Sequence, residues 1–187
     1  MPGIERTAVA FTRACERANV RSVIIGGFAV AAWGEPRATR DVDALVSIDQ
    51  TQIEGWVIAL KEESLTTDTR DILDGLREGG HVTIFDDETG YHVDAKFAKT
   101  AMEHEEVASG IDVELPTGRL RVVPPEEAVA FKVKFGTPLD LQDARSIIAR
   151  QGPALDQARL LSLGIRLGIV DGIRSLVDAV ERARKGS

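Results

Sequence analysis

Apolar residues at Ala8, Phe11, Ala14 and Cys15 recur at three- and four-residue spacing, which predicts an opening helix over about residues 3–18 with one face turned to a sheet. The pattern then changes. Residues 22–25, "SVII", form a continuous apolar run that stops at Gly26-Gly27, and "FAVAAWG" predicts a helix that opens directly from the glycines and closes at Gly34. A polar loop, "EPRATR", leads to "DVDALVS", the next strand. Residues 51–60 predict a helix with Ile53, Trp56, Val57 and Leu60 on one face, and "DILDGL" a shorter helix or turn. Two hairpins follow: "HVTIF" and "YHVDAKF" around "DDETG", then "IDVEL" and "LRVV" around "PTG".

From Pro124-Pro125 onward the periodicity is helical, in "EEAVAFKVKF", "DLQDARSIIAR", "ALDQARLLSLGIRLG" and "DGIRSLVDAVERARK". Prolines at a helix start and acids in its first turn are the expected punctuation. The order of elements predicts an α/β (α+β) chain with a mixed sheet flanked by helices over residues 1–123 and a C-terminal helical bundle over residues 124–187. No internal repeat and no low-complexity segment interrupts it.

Composition narrows the function classes. The chain has 187 residues, 43% of them hydrophobic, enough to bury a core. A net charge of -7 and a pI near 5.1 argue against coating nucleic acid by bulk electrostatics, while leaving room for a local basic pocket. No apolar run is long enough to cross a bilayer and no basic-then-apolar leader opens the chain, so a cytoplasmic location without membrane partners is expected. The single Cys15 admits no internal disulfide and no thiolate cluster, and reads as a small residue on a helix face.

The chemistry concentrates in "TRDVDALV". Side chains alternate across a strand, so Asp41 and Asp43 share a face about 7 Å apart at the backbone. Two acids there repel and lose solvation, which calls for a positive partner, either an arginine such as Arg37 or Arg40, or a metal ion. Oxygen donors alone suit Mg²⁺ or Mn²⁺ better than zinc. In "YHVDAKF", the alternation puts His92, Asp94 and Lys96 on one face and Tyr91, Val93, Ala95 and Phe97 on the other. If this strand lies beside the first, three carboxylates meet, and such a set holds two divalent ions about 3.5–4 Å apart, as phosphoryl or nucleotidyl transfer requires. Gly26-Gly27 at a strand-to-helix junction lets backbone N–H groups approach a phosphate. The glycines have neither P-loop nor "GxGxxG" spacing. His81, His92 and His104 share no short spacing, so zinc is not expected, although His92 shares the face of Asp94. No "GxSxG" setting surrounds a serine.

"GGFAVAAWGEPRATRDVDALV" resembles the first motif of the DNA polymerase β-type nucleotidyltransferases, and "HVDAKF" is similar to their later strand with a third acid. "PPEEAVAFKVKF" with "LDLQDARSI" resembles the helical region of the abortive-infection AbiEii-type branch, bacterial proteins that often act as the toxin of a toxin–antitoxin pair. The resemblance implies a nucleotidyltransferase fold in which Gly26 and Gly27 bind the triphosphate. It implies Asp41, Asp43 and Asp94 as ligands of two Mg²⁺ ions, with Asp94 also the base for the incoming hydroxyl. Lys132 matches the helical lysine of that family. The periodicity sets Ala128, Phe131 and Phe135 around it, so that its ammonium needs an anionic partner, while Lys134 points elsewhere. Arg37, Thr39 and Arg40 are loop residues with two open readings, phosphate contacts or solvated side chains. Leu139 departs from the basic residue that usually precedes the Asp-Leu pair, here Asp140-Leu141; Asp140 is then expected to cap its helix and Asp143 to pair with an arginine.

The expected activity is transfer of a nucleoside monophosphate from an NTP to an acceptor hydroxyl. A tRNA end or a protein side chain as acceptor, with an antitoxin as partner, follows from the AbiEii resemblance. The alternatives are a small antibiotic-type acceptor, a non-catalytic NTP-binding regulator of the same fold, and a metal-dependent nuclease.

Overall fold

The computed structural model describes residues 2–185. Helix α1 (Pro2–Arg17) leads to β1 (Arg21–Ile24), α2 (Gly26–Trp33) and β2 (Val42–Ser47). A 3-10 turn capped by Asp49 opens α3 (Ile53–Glu62), followed by the two-residue β3 (Leu65–Thr66) and α4 (Thr69–Glu78). The hairpin of β4 (His81–Asp86) and β5 (His92–Phe97), helix α5 (Ala101–Ser109) and the hairpin of β6 (Ile111–Leu115) and β7 (Gly118–Val122) come next. The chain then runs through α6 (Pro125–Phe135), α7 (Pro138–Gln151), α8 (Gln157–Leu167) and α9 (Val170–Lys185).

The strands form one mixed seven-stranded sheet in the order β3-β4-β5-β2-β1-β7-β6, flanked by helices, the expected α/β class. β1 runs antiparallel to β2, while β2 and β5 are parallel neighbours whose register sets Asp43 opposite Asp94. Three elements exceed the apolar pattern. α4 is a full helix because Asp68 caps its first turn and Gly79, in the left-handed region, closes its last. α5 is held by a reciprocal capping box between Thr100 and Glu103, and β3 joins the sheet edge with Leu65 fully buried.

The chain divides into two compact units, Met1–Phe28 with Ala38–Val123, and Ala29–Arg37 with Pro124–Ser187. In the first, Phe11 of α1 meets Trp56 of α3 edge to face at 6.3 Å, above a layer that includes Leu60, Ile72, Ile84 and Phe97. Each such fully buried side chain contributes about 1.5–3 kcal/mol. Along β5, Val93, Ala95 and Phe97 are buried, whereas His92, Asp94 and Lys96 lie on the other face. Helix α5 ties down the far end of that face, through Lys96 to Glu103 at 2.6 Å and Ser47 to His104 at 3.1 Å. His92 and Asp94 remain half-exposed.

The second unit is built from α6 to α9 around Val129, Ile147, Leu160, Leu163 and Ile173. Buried Glu126 accepts a hydrogen bond from the Asp156 N–H at 2.7 Å, and buried Glu127 pairs with Arg159. Residues 29–37 are stitched to α7, with Gln151 Nε2 donating to the Trp33 carbonyl at 2.6 Å. None of the described helices is long and apolar enough to cross a membrane.

Candidate active site

β1 ends where β2 and β5 begin, and the turn that leaves β1 shapes the site. The Ile25 N–H donates to the Asp43 carbonyl at 2.9 Å, and the backbone then takes φ +62° at Gly26 to enter α2. That conformation favours glycine. Space demands it too, because a Cβ on Gly26 would lie 2.0 Å from Asp43 Oδ2 and 2.8 Å from its Cγ. The Asp43 carboxylate thus rests against the first residue of α2, at the end of the helix that carries partial positive charge.

Asp41 occupies the bend just before β2, where the Thr39 hydroxyl donates to its Oδ1 and to its carbonyl, both at 3.2 Å. Arg40 beside it is exposed and makes no hydrogen bond or ion pair among the described residues. Asp94 sits between two strands: Thr83 of β4, its register partner, donates from Oγ1 to Oδ1 at 2.8 Å, and Asp43 stands opposite on β2. Like charges set opposite each other in a sheet are destabilising by about 0.2–1 kcal/mol, so this register has a cost that a cation would offset.

His92 is the residue that sequence reasoning set aside. Its Nε2 lies 3.6 Å from Asp94 Oδ2, and Asp41, His92 and Asp94 each offer a ligand atom with all three atoms within 4.8 Å of one another. The signal was the spacing of two between His92 and Asp94 on a strand, which puts both on one face. An octahedral ion with bonds of about 2.0–2.1 Å holds adjacent donors about 3 Å apart and opposite ones about 4.2 Å apart. The His92 to Asp94 separation falls between these limits, and the donor set fits a divalent cation.

Lys132 stands in the second unit, where its Nζ lies 2.8 Å from Asp140 Oδ1 and 2.9 Å from Asp143 Oδ2. The anionic partners it needs are therefore the two acids of α7. Arg37 also grips Asp143, with Nε to Oδ1 at 3.0 Å and Nη2 to Oδ2 at 3.1 Å, as expected for Asp143. Asp140 caps α7 in a capping box with Thr137. Burial pushes the Asp140 carboxyl up, but the hydrogen bonds from Lys132 and Thr137 outweigh it and hold the group below the usual carboxylate range. The expected inward position of Phe135 is not found: the ring is 71% exposed at the end of α6, and the buried stripe runs instead through Glu126, Val129, Ala130 and Val133. A helical stripe of three- and four-residue steps through Val129 and Val133 leaves Phe135 on another face.

Comparison with protein-family models and with curated proteins gives no match. Among solved structures, the chain is similar to an antigenic nucleotidyltransferase-like protein from Paracoccidioides brasiliensis, with a TM-score of 0.55 at 16% identity over 94% of this chain and 91% of that one. It is also similar to ANT(2")-Ia, solved in complex with adenylyl-2"-tobramycin, with a TM-score of 0.52 at 14% identity over 84% of this chain and 94% of that one. At such identities the likeness is one of fold: the mixed sheet and its helices have the nucleotidyltransferase arrangement.

Proposed function

We propose that the chain is a divalent-metal-dependent nucleotidyltransferase that moves a nucleoside monophosphate from an NTP to an acceptor hydroxyl. The observations that support this reading are the grouping of Asp41 and Asp94 with His92, and Asp43 set in register with Asp94 and against Gly26, in a chain with the nucleotidyltransferase fold. Two Mg²⁺ ions held by the three acids would lower the pKa of the attacking hydroxyl and neutralise the leaving pyrophosphate. The chain's own residues do the rest. Gly26 and Gly27, at the start of α2, receive the triphosphate on backbone N–H groups, and Arg40 supplies an uncommitted cation nearby. The acceptor oxygen bonds to the α-phosphorus as the bond to the pyrophosphate oxygen breaks, and Asp94 takes the hydroxyl proton. Lys132, matched to the family's helical lysine, is held by the two carboxylates of α7.

For the acceptor, the AbiEii-like segments around α6 and α7 favour a tRNA end or a protein side chain, with an antitoxin as partner. NTP as substrate implies the cytoplasm. The adenylyl-2"-tobramycin bound to ANT(2")-Ia favours a second reading, a small hydroxylated acceptor.

The test is transfer from each of the four α-labelled NTPs, with Mg²⁺, into total RNA, total protein and an aminoglycoside panel, with Asp43→Asn as control. Label that vanishes in the variant, and pyrophosphate release with it, is expected. A melting scan accompanies it. Mg²⁺ plus NTP should raise the midpoint of the wild type and not of Asp43→Asn, and no rise at saturating ligand would remove the catalytic reading.

A further inference from the structure

We infer that His92 Nε2 is a direct ligand of the cation held by Asp41 and Asp94, so that this position is a mixed oxygen and nitrogen site. The inference rests on the reading of these acids as a metal centre. The 3.6 Å between His92 Nε2 and Asp94 Oδ2 is too long for a hydrogen bond. It suits two ligands of one ion. Strand alternation fixes both side chains on the same face, and Asp41 brings a third donor atom within 4.8 Å. The imidazole is backed by its cross-strand partner Phe85, whose ring centroid lies 6.1 Å away at a tilt of 46°. Phe85 is 56% exposed, an apolar residue beside the imidazole on the polar face of the sheet. Thr83 engages Asp94 through Oδ1, which leaves Oδ2, the oxygen nearer His92, to share an ion with it.

The nitrogen alters ion choice. Carboxylate oxygens alone suit Mg²⁺, whereas imidazole shifts preference toward transition ions. The site is therefore expected to bind Mn²⁺ more tightly than Mg²⁺. His92→Gln should weaken Mn²⁺ about tenfold and Mg²⁺ less than threefold, in line with the loss of one ligand of several.

The experiment uses Mn²⁺ alone, without NTP, on the full chain. Electron spin echo modulation of bound Mn²⁺ is expected to show directly coordinated ¹⁴N, converted to the ¹⁵N pattern when the protein carries ¹⁵N-histidine, and lost in His92→Gln. The labelled wild type makes the result independent of how the variant folds. Bound Mn²⁺ without nitrogen coupling, or coupling that survives in a folded His92→Gln, would overturn the inference and leave the metal-site reading standing. A wild type that binds no Mn²⁺, its free six-line signal unchanged, would overturn both.

Discussion

The carboxylate of Asp43 lies against the α-carbon of Gly26, so close that a methyl group there would stand 2.0 Å from Oδ2. One contact ties the turn to the acid. Gly26→Ala meets two penalties, a left-handed φ of +62° and the clash with Asp43. The expected loss is about 2–4 kcal/mol of stability, with NMP transfer reduced at least a hundredfold. Adding Asp43→Ala should restore the clash share of the stability and none of the activity. A denaturation double-mutant cycle reads the coupling, and additivity within about 0.5 kcal/mol would show that the contact is unimportant.

Lys132 is bracketed by Asp140 and Asp143 in a largely buried setting, with 14% of its side chain exposed. Lys132→Met leaves two acids facing each other with Arg37 as the remaining cation, and should cost about 2–4 kcal/mol. The conservative Lys132→Arg should recover part of that. A melting midpoint that holds in Lys132→Met would show that the bracketed lysine contributes nothing to stability.

How much of this was legible follows from which forces act locally. The Gly-Gly turn, and the acids Asp43 of β2 and Asp94 of β5, announce themselves because a period of two and a glycine need no tertiary information. Their pairing does. Only the register shows that Asp94 faces Asp43 and that Asp41 groups with His92. Helix α5 lacks a strong apolar stripe, and its signal was the Thr100-x-x-Glu103 capping box, which was there to be read. β3 has two residues and no period at all, so Leu65 becomes a strand residue only because the edge of β4 is there to pair with. Phe135 was misplaced for a related reason. A helix of eleven residues ending in a left-handed Gly136 can leave its last aromatic ring outside the packed stripe, and apolar character alone does not say which turn is packed.

Glu103 carries a pH dependence of known sign. Burial pushes its carboxyl up, but bonds from Lys96, the Thr100 and Lys99 amides and the Thr100 hydroxyl prevail and bring it down to about 2. A depressed folded value means stability that is present above the ordinary 4.5 and lost as pH falls toward about 2. Glu103→Gln should therefore cost about 1–2 kcal/mol at pH 7, in keeping with charge-assisted hydrogen bonds at a partly buried site. The gap between wild type and variant should close between pH 4.5 and 2, as urea titrations at stepped pH would record. A gap that stays constant over this range would mean that the carboxylate charge contributes nothing.

Cys15 lies on the buried face of α1, and that burial pushes its thiol up to about 12. A thiol reagent at pH 8 should find almost no thiolate in the folded chain. Labelling is expected to be at least a hundredfold slower than in denaturant and to follow the opening equilibrium. Prompt native-state labelling would contradict this packing.

The register of Asp43 against Asp94 sets two like charges opposite each other, a cost that a bound cation would offset. Asp94→Asn removes one of two facing charges while its side-chain oxygen still accepts the Thr83 hydroxyl bond at Oδ1. In EDTA the variant should melt about 1–3 °C above wild type, the scale set by a like-charge sheet pair of about 0.2–1 kcal/mol. With saturating Mn²⁺ or Mg²⁺ the order should invert, because only the wild type gains stability through binding. Opposite signs in the two conditions separate an acid kept for its ligand from one kept for the fold, whose loss would lower both midpoints. A variant less stable than wild type in EDTA would therefore assign Asp94 to the fold and remove the electrostatic case for a cation at this end of the sheet.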